Sequence, residues 1–174
     1  MKAFLQGAWL GHPLHVALVH VPAGLWPAAL AFDLLANAGV GGSSLPRAAT
    51  FAIALGLVVA LAAVAPGFAD WVDIDHRKPA SRLGLAHLSL NTLALLVFAA
   101  ELRMRLGWPA DVRRVPAEAV WLSVLGTILV AVAAKIGSRM VFDYGTSVAR
   151  LSKDRWRRIA AEGGTRVDGG GDGA

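Results

Sequence analysis

The 174-residue chain has no cysteine. That excludes disulfides, cysteine-ligated iron–sulfur clusters, cysteine–zinc sites, covalent c-type haem attachment and a lipoprotein anchor. Charge is scarce too. Asp, Glu, Lys and Arg make up 17 % of the residues and hydrophobic residues 56 %, where a soluble domain has about 25 % and about 45–50 %. Neither a disordered chain nor an ordinary soluble enzyme is expected. The sequence also lacks a nucleophile elbow, a phosphate-binding glycine loop and an H-E-x-x-H pair, so it is not expected to be an enzyme by itself. The net charge of +5 raises nucleic acid as a partner. The basic residues, however, lie between and after long apolar blocks, as in a membrane protein, and the expected partner is the lipid bilayer.

Four apolar blocks are present: Pro13–Phe32, Ala48–Ala69, Leu83–Ala100 and Ala119–Ala134. A membrane-spanning helix needs about 20 mostly apolar residues, and the fourth block reaches that length as a helix over roughly Pro116–Phe142, with Lys135 inside it. Lipid cannot satisfy free backbone groups, so runs of this length are helices. The expected fold is an all-α, four-transmembrane-helix up-down bundle with its first and third helices diagonal. The first block is too long for the apolar region of a signal peptide, about 7–15 residues, and is read as a retained helix. Eleven Lys and Arg residues fall on the side of both termini and five on the other, which predicts cytoplasmic termini. The expected divisions are a transmembrane domain over 1–146, a basic amphipathic surface helix over 147–162 and a disordered tail over 163–174. No internal repeat stands out.

All five histidines fall on the side of the termini. His12, His15 and His20 lie at the start of the first long helix, His76 in the second loop and His87 near the start of the third long helix. His20 and His87 should sit at similar depth, roughly 8–10 Å below the helix starts at ~1.5 Å per residue. Ionisable groups within spans are functional hypotheses by default. Two imidazoles on facing helices suit haem b, with His20 and His87 as axial ligands and Lys135, Arg139 and Arg82 meeting the propionates. A divalent metal ion held by His12, His15, His20, His87 and Asp70 is the alternative. A structural or assembly subunit, with no cofactor, is the third reading. Glu101 and Arg105 form an i,i+4 pair expected to be solvated. Asp33 is expected to meet interfacial water or an arginine of the third loop.

The first long helix carries Gly11-His12-Pro13-Leu14-His15 followed by Val19-His20-Val21-Pro22, a G-H-P-x-H-x(4)-H-x-P run. Asp33, Gly67-Phe68-Ala69-Asp70-Trp71, Ala86-His87 with Asn91, and Met140-Val141-Phe142-Asp143-Tyr144-Gly145 accompany it. Together these resemble the bacterial integral-membrane domain-of-unknown-function family 2231. The sequence departs from that pattern at Val16, where the family usually has proline, and at Thr146-Ser147-Val148. The resemblance implies a four-helix membrane domain. Members are sometimes joined to Rieske or cytochrome modules, which favours a small b-type electron-transfer subunit working with a redox partner protein or as a homo-oligomer.

Overall fold

The computed structural model describes residues 1–146. The expected surface helix over 147–162 and the tail over 163–174 lie outside the described residues. A short helix α1 (Lys2–Leu5) and a 3₁₀ turn (Ala8–Leu10) lead into four long helices: α2 (Leu14–Asn37), α3 (Ser44–Val72), α4 (Pro79–Arg105) and α5 (Ala117–Phe142). All four are long and apolar enough to cross a membrane. Their large apolar side chains face outward, Phe51, Val58, Leu61, Leu96, Trp121 and Ile128 among them, because lipid does not penalise apolar exposure.

The helices run alternately up and down. α2 packs mainly on α3 and α4 mainly on α5, with narrower contacts between α2 and α5 and between α3 and α4. α2 and α4 are therefore diagonal, and what joins them is side chains that cross the bundle axis. The His15 and His87 rings meet edge to face at 6.3 Å between centroids. Trp26 stacks on Phe98 at 4.3 Å. Asp33 accepts hydrogen bonds from Arg105. These three rungs lie 11 and 7 residues apart on both helices. At ~1.5 Å per residue they span about 27 Å, nearly the ~30 Å thickness of a bilayer's hydrocarbon.

The rungs reveal an internal repeat. His15-x(10)-Trp26-x(6)-Asp33 on α2 matches His87-x(10)-Phe98-x(6)-Arg105 on α4, each residue 72 positions after its counterpart. The partner helices repeat too, with Gly56 and Gly67 of α3 each 70 positions before their counterparts Gly126 and Gly137 of α5. A Cβ at Gly67 of α3 would fall 2.6 Å from the His15 ring, and one at Gly137 of α5 would fall 3.1 Å from the His87 ring. Gly56 gives the Trp26 ring its place as Gly126 gives Phe98 its place. The bundle is thus two similar helical hairpins related by an approximate two-fold axis along the membrane normal, an arrangement also known from transporters. The expectation of no internal repeat is corrected. Only a few positions at long spacing carry it, and the lipid-facing residues between them are interchangeable.

Close glycine contacts of this kind supply helix association in lipid, where no hydrophobic force drives it. Gly126→Val should destabilise the bundle by about 1–3 kcal/mol, since the added atoms meet Phe98. Gly24→Val, at a glycine whose Cβ would meet nothing within 4 Å, should leave stability unchanged. Denaturant unfolding in detergent or lipid compares the two.

Candidate functional site

The two ends of the bundle are chemically different. At the histidine end, the His15 and His87 rings each meet a backbone carbonyl, so the ring nitrogen facing it must carry the hydrogen. His15 donates from Nδ1 to Ala63 O on α3 at 3.0 Å. His87 donates from Nδ1 to Ala133 O on α5 at 2.8 Å. The repeat therefore extends to the hydrogen bonds: both rings carry a hydrogen on Nδ1 and direct it to a carbonyl of the neighbouring helix. A carbonyl behind the ring is the arrangement that orients a metal-ligating histidine and makes its other nitrogen more basic.

His20 does not join them. It is exposed on the surface of α2, and its Nδ1 donates to Val16 O of its own helix. The structure pairs His87 with His15, one and a half turns before His20. His12 is also exposed and donates to the adjacent Pro13 O at 3.1 Å. Asp70 lies within electrostatic reach of His15. The five residues His12, His15, His20, His87 and Asp70 are not gathered into one centre. Among the described residues no group of three or more His, Asp or Glu side chains is placed to hold a metal ion.

A cleft of about 370 Å³ opens at the same end, lined by Arg77, Pro79, Arg82, Leu83, Arg139 and Tyr144. Arg77 and Arg139 each use Nε on a nearby carboxylate, Asp75 at 3.4 Å and Asp143 at 3.2 Å, leaving their outer guanidinium donors available. Arg82 and Arg139 thus line one cleft. Lys135 does not line it and stands exposed on α5.

The N-terminal segment covers this end. Lys2 pairs with Asp73, and Gln6 donates to Asp73 Oδ2 at 2.6 Å and to Ala69 O at 3.4 Å. The hydrogen bond from Lys2, then that from Gln6, hold the Asp73 carboxyl below the usual carboxylate range. A depressed pKa stabilises the ionised, tethered form above the ordinary carboxylate pKa, and that contribution disappears as pH falls through the lowered value. Residues 1–10 should therefore lose amide protection, measured against the intrinsic exchange rate, in strong acid, and Asp73→Asn should show the same loss of protection at neutral pH.

At the opposite end the i,i+4 pair of α4 is not solvated. Asp33, Glu101 and Ser123 are 0 % exposed and Arg105 is 4 % exposed. Arg105 donates from Nη1 to Asp33 Oδ1 at 3.2 Å and from Nη2 to Asp33 Oδ2. Its Nε reaches Glu101 Oε1 at 2.9 Å, and Nη2 reaches the same oxygen. Ser123 on α5 touches both Glu101 oxygens at 2.9 and 3.0 Å. Trp108 lies 4.9 Å from the guanidinium carbon. Solvation was the expectation because helix spacing alone cannot tell which face of α4 is turned inward. The signal available was that Asp33 and Arg105 occupy equivalent repeat positions.

A polytopic four-helix membrane protein with paired inward histidines is the class that this arrangement defines. The sequence matches the family described as "Predicted membrane protein (DUF2231)" over residues 11–150, and the chain belongs to that family. No curated protein and no solved structure matches it.

Removing one partner of a buried ion pair strands the others. Arg105→Met should cost about 3–5 kcal/mol, more than Arg139→Met at the exposed pair with Asp143, where about 0–1 kcal/mol is expected. Thermal unfolding of the two variants tests the order.

Proposed function

We propose that this protein is a small b-type haem-binding electron-transfer subunit of a bacterial inner membrane, with His15 and His87 as the axial ligands. The observation that carries this reading is the pair of imidazoles brought together across the axis, each with its Nδ1 hydrogen committed to a carbonyl. A donor set of two imidazoles is complete for an axial haem pair, since the porphyrin supplies the other four nitrogens. It is half of what structural zinc requires, which is why haem is preferred to a bare divalent ion.

Arg82 lies five residues before His87, about 7.5 Å along α4. The cleft it shares with Arg139 and Arg77 would receive propionates from a macrocycle held at His87. Haem would supply one-electron chemistry there, and the chain's own part is to orient the imidazoles, shield them with the helices and set the charge near the propionates. The termini would face the cytoplasm, and a redox partner protein would dock at that face.

Full-length protein purified in detergent, supplied with haemin and then reduced with dithionite, provides the test. A Soret band that moves on reduction is expected. It should vanish in His15→Ala and in His87→Ala and persist in His20→Ala. A spectrum identical to that of free haemin overturns the haem reading. Lowered stability in His15→Ala with no spectral effect in any variant would leave the pair a structural clasp.

A further inference from the structure

The cluster at the end remote from the histidines holds two carboxyl groups and one cation. The side chains of Asp33, Glu101 and Arg105 are all 0 % exposed. Fully ionised they carry a net charge of −1 on side chains that bulk solvent does not reach, and an uncompensated charge there is strongly disfavoured. Among the described residues the charged groups facing the cluster are these three alone. α2 supplies Asp33, α4 supplies Glu101 and Arg105, α5 supplies Ser123, and α3 presents the buried apolar Ala49 and Ile53 to the bundle interior. Nothing described on the protein neutralises the surplus charge, so a proton is the simplest ligand to do so.

The hydrogen bonds identify where it sits. Asp33 receives the two Nη groups of Arg105 on its two oxygens, the fork geometry that suits an ionised carboxylate. Glu101 receives the guanidinium on Oε1 only. Among the described residues its Oε2 has one hydrogen-bond partner, Ser123 Oγ at 3.0 Å, while that hydroxyl also lies 2.9 Å from Oε1. A serine has a single hydrogen to give, so it cannot satisfy both oxygens of a carboxylate. A proton on Oε2 removes the conflict, since Glu101 then donates and Ser123 accepts.

We propose that Glu101 is a carboxylic acid at neutral pH, and that Glu101 and Ser123 form an intramembrane proton-binding site kept electrically neutral by the Asp33–Arg105 pair. The bound species is one exchangeable proton on Oε2. The site is separated from the histidine pair by the Trp26–Phe98 stack, and it stands whether or not those histidines bind haem.

Infrared spectroscopy of the full chain in lipid at neutral pH tests this. The spectrum should contain the C=O stretch of a protonated carboxyl, shifted downward in D₂O. Glu101→Gln should abolish that band and remain folded, since a glutamine amide reproduces the donor and shape of the acid. Ser123→Ala should keep the band and move its frequency, because the acid loses its acceptor. The proposal is overturned by a wild-type spectrum without a protonated-carboxyl band, or by a band that survives in Glu101→Gln. A Ser123→Ala spectrum with the band unmoved also overturns the assignment to Oε2, and does so without relying on the glutamine variant.

Discussion

Arg105 joins α2 to α4 at one end of the bundle because its charge cannot be left bare in hydrocarbon. Its three nitrogens make four hydrogen bonds, two to Asp33 on one helix and two to Glu101 on its own, and Glu101 in turn engages Ser123 on α5. Three helices are registered by one guanidinium. In water such a cluster would be a weak source of stability, since each ion would recover its hydration on unfolding. In a bilayer the separated helices have no such refuge, and the same contacts fix depth, rotation and neighbours together. With that rung set, the 11- and 7-residue spacings place Trp26 on Phe98 and His15 beside His87.

Glycine makes those contacts possible. Gly56 and Gly126 open the space for the central aromatic stack, and Gly67 and Gly137 bring the backbones of α3 and α5 against the histidine rings. Close backbone approach is also what lets Ala63 and Ala133 present their carbonyls to Nδ1. Helix packing and histidine hydrogen bonding thus share one cause. The likeness between the hairpins gives His15 and His87 equivalent carbonyl partners on the neighbouring helices.

The helices were legible as blocks of 16 to 22 uncharged residues, because lipid solvates every face of a span and the chain must show it throughout. The fourth span, drawn as Pro116–Phe142, is observed as Ala117–Phe142. The diagonal placement of α2 and α4 followed from short connections. The histidine partnership did not follow. Matched depth suggested His20 with His87, but depth leaves rotation about the helix axis free, and five residues turn the helix by well over a full revolution. His20 faces outward and His15 inward. The same ambiguity hid the burial of Glu101 and Arg105, since a helix apolar on nearly every side has no polar face to orient it.

Composition and the spacing of apolar runs by themselves determined that this protein is helical, spans a membrane four times and carries its histidines at one end. They sufficed because the bilayer imposes length and apolarity on each span separately, without reference to its neighbours. Membership of its family was likewise written in the residues of the first long helix. Tertiary structure alone decided which polar groups meet: His15 with His87, Asp33 with Arg105, Ser123 with Glu101. Those pairings depend on how far each helix is rotated about its own axis, and rotation is set by where the glycines allow neighbouring backbones to close.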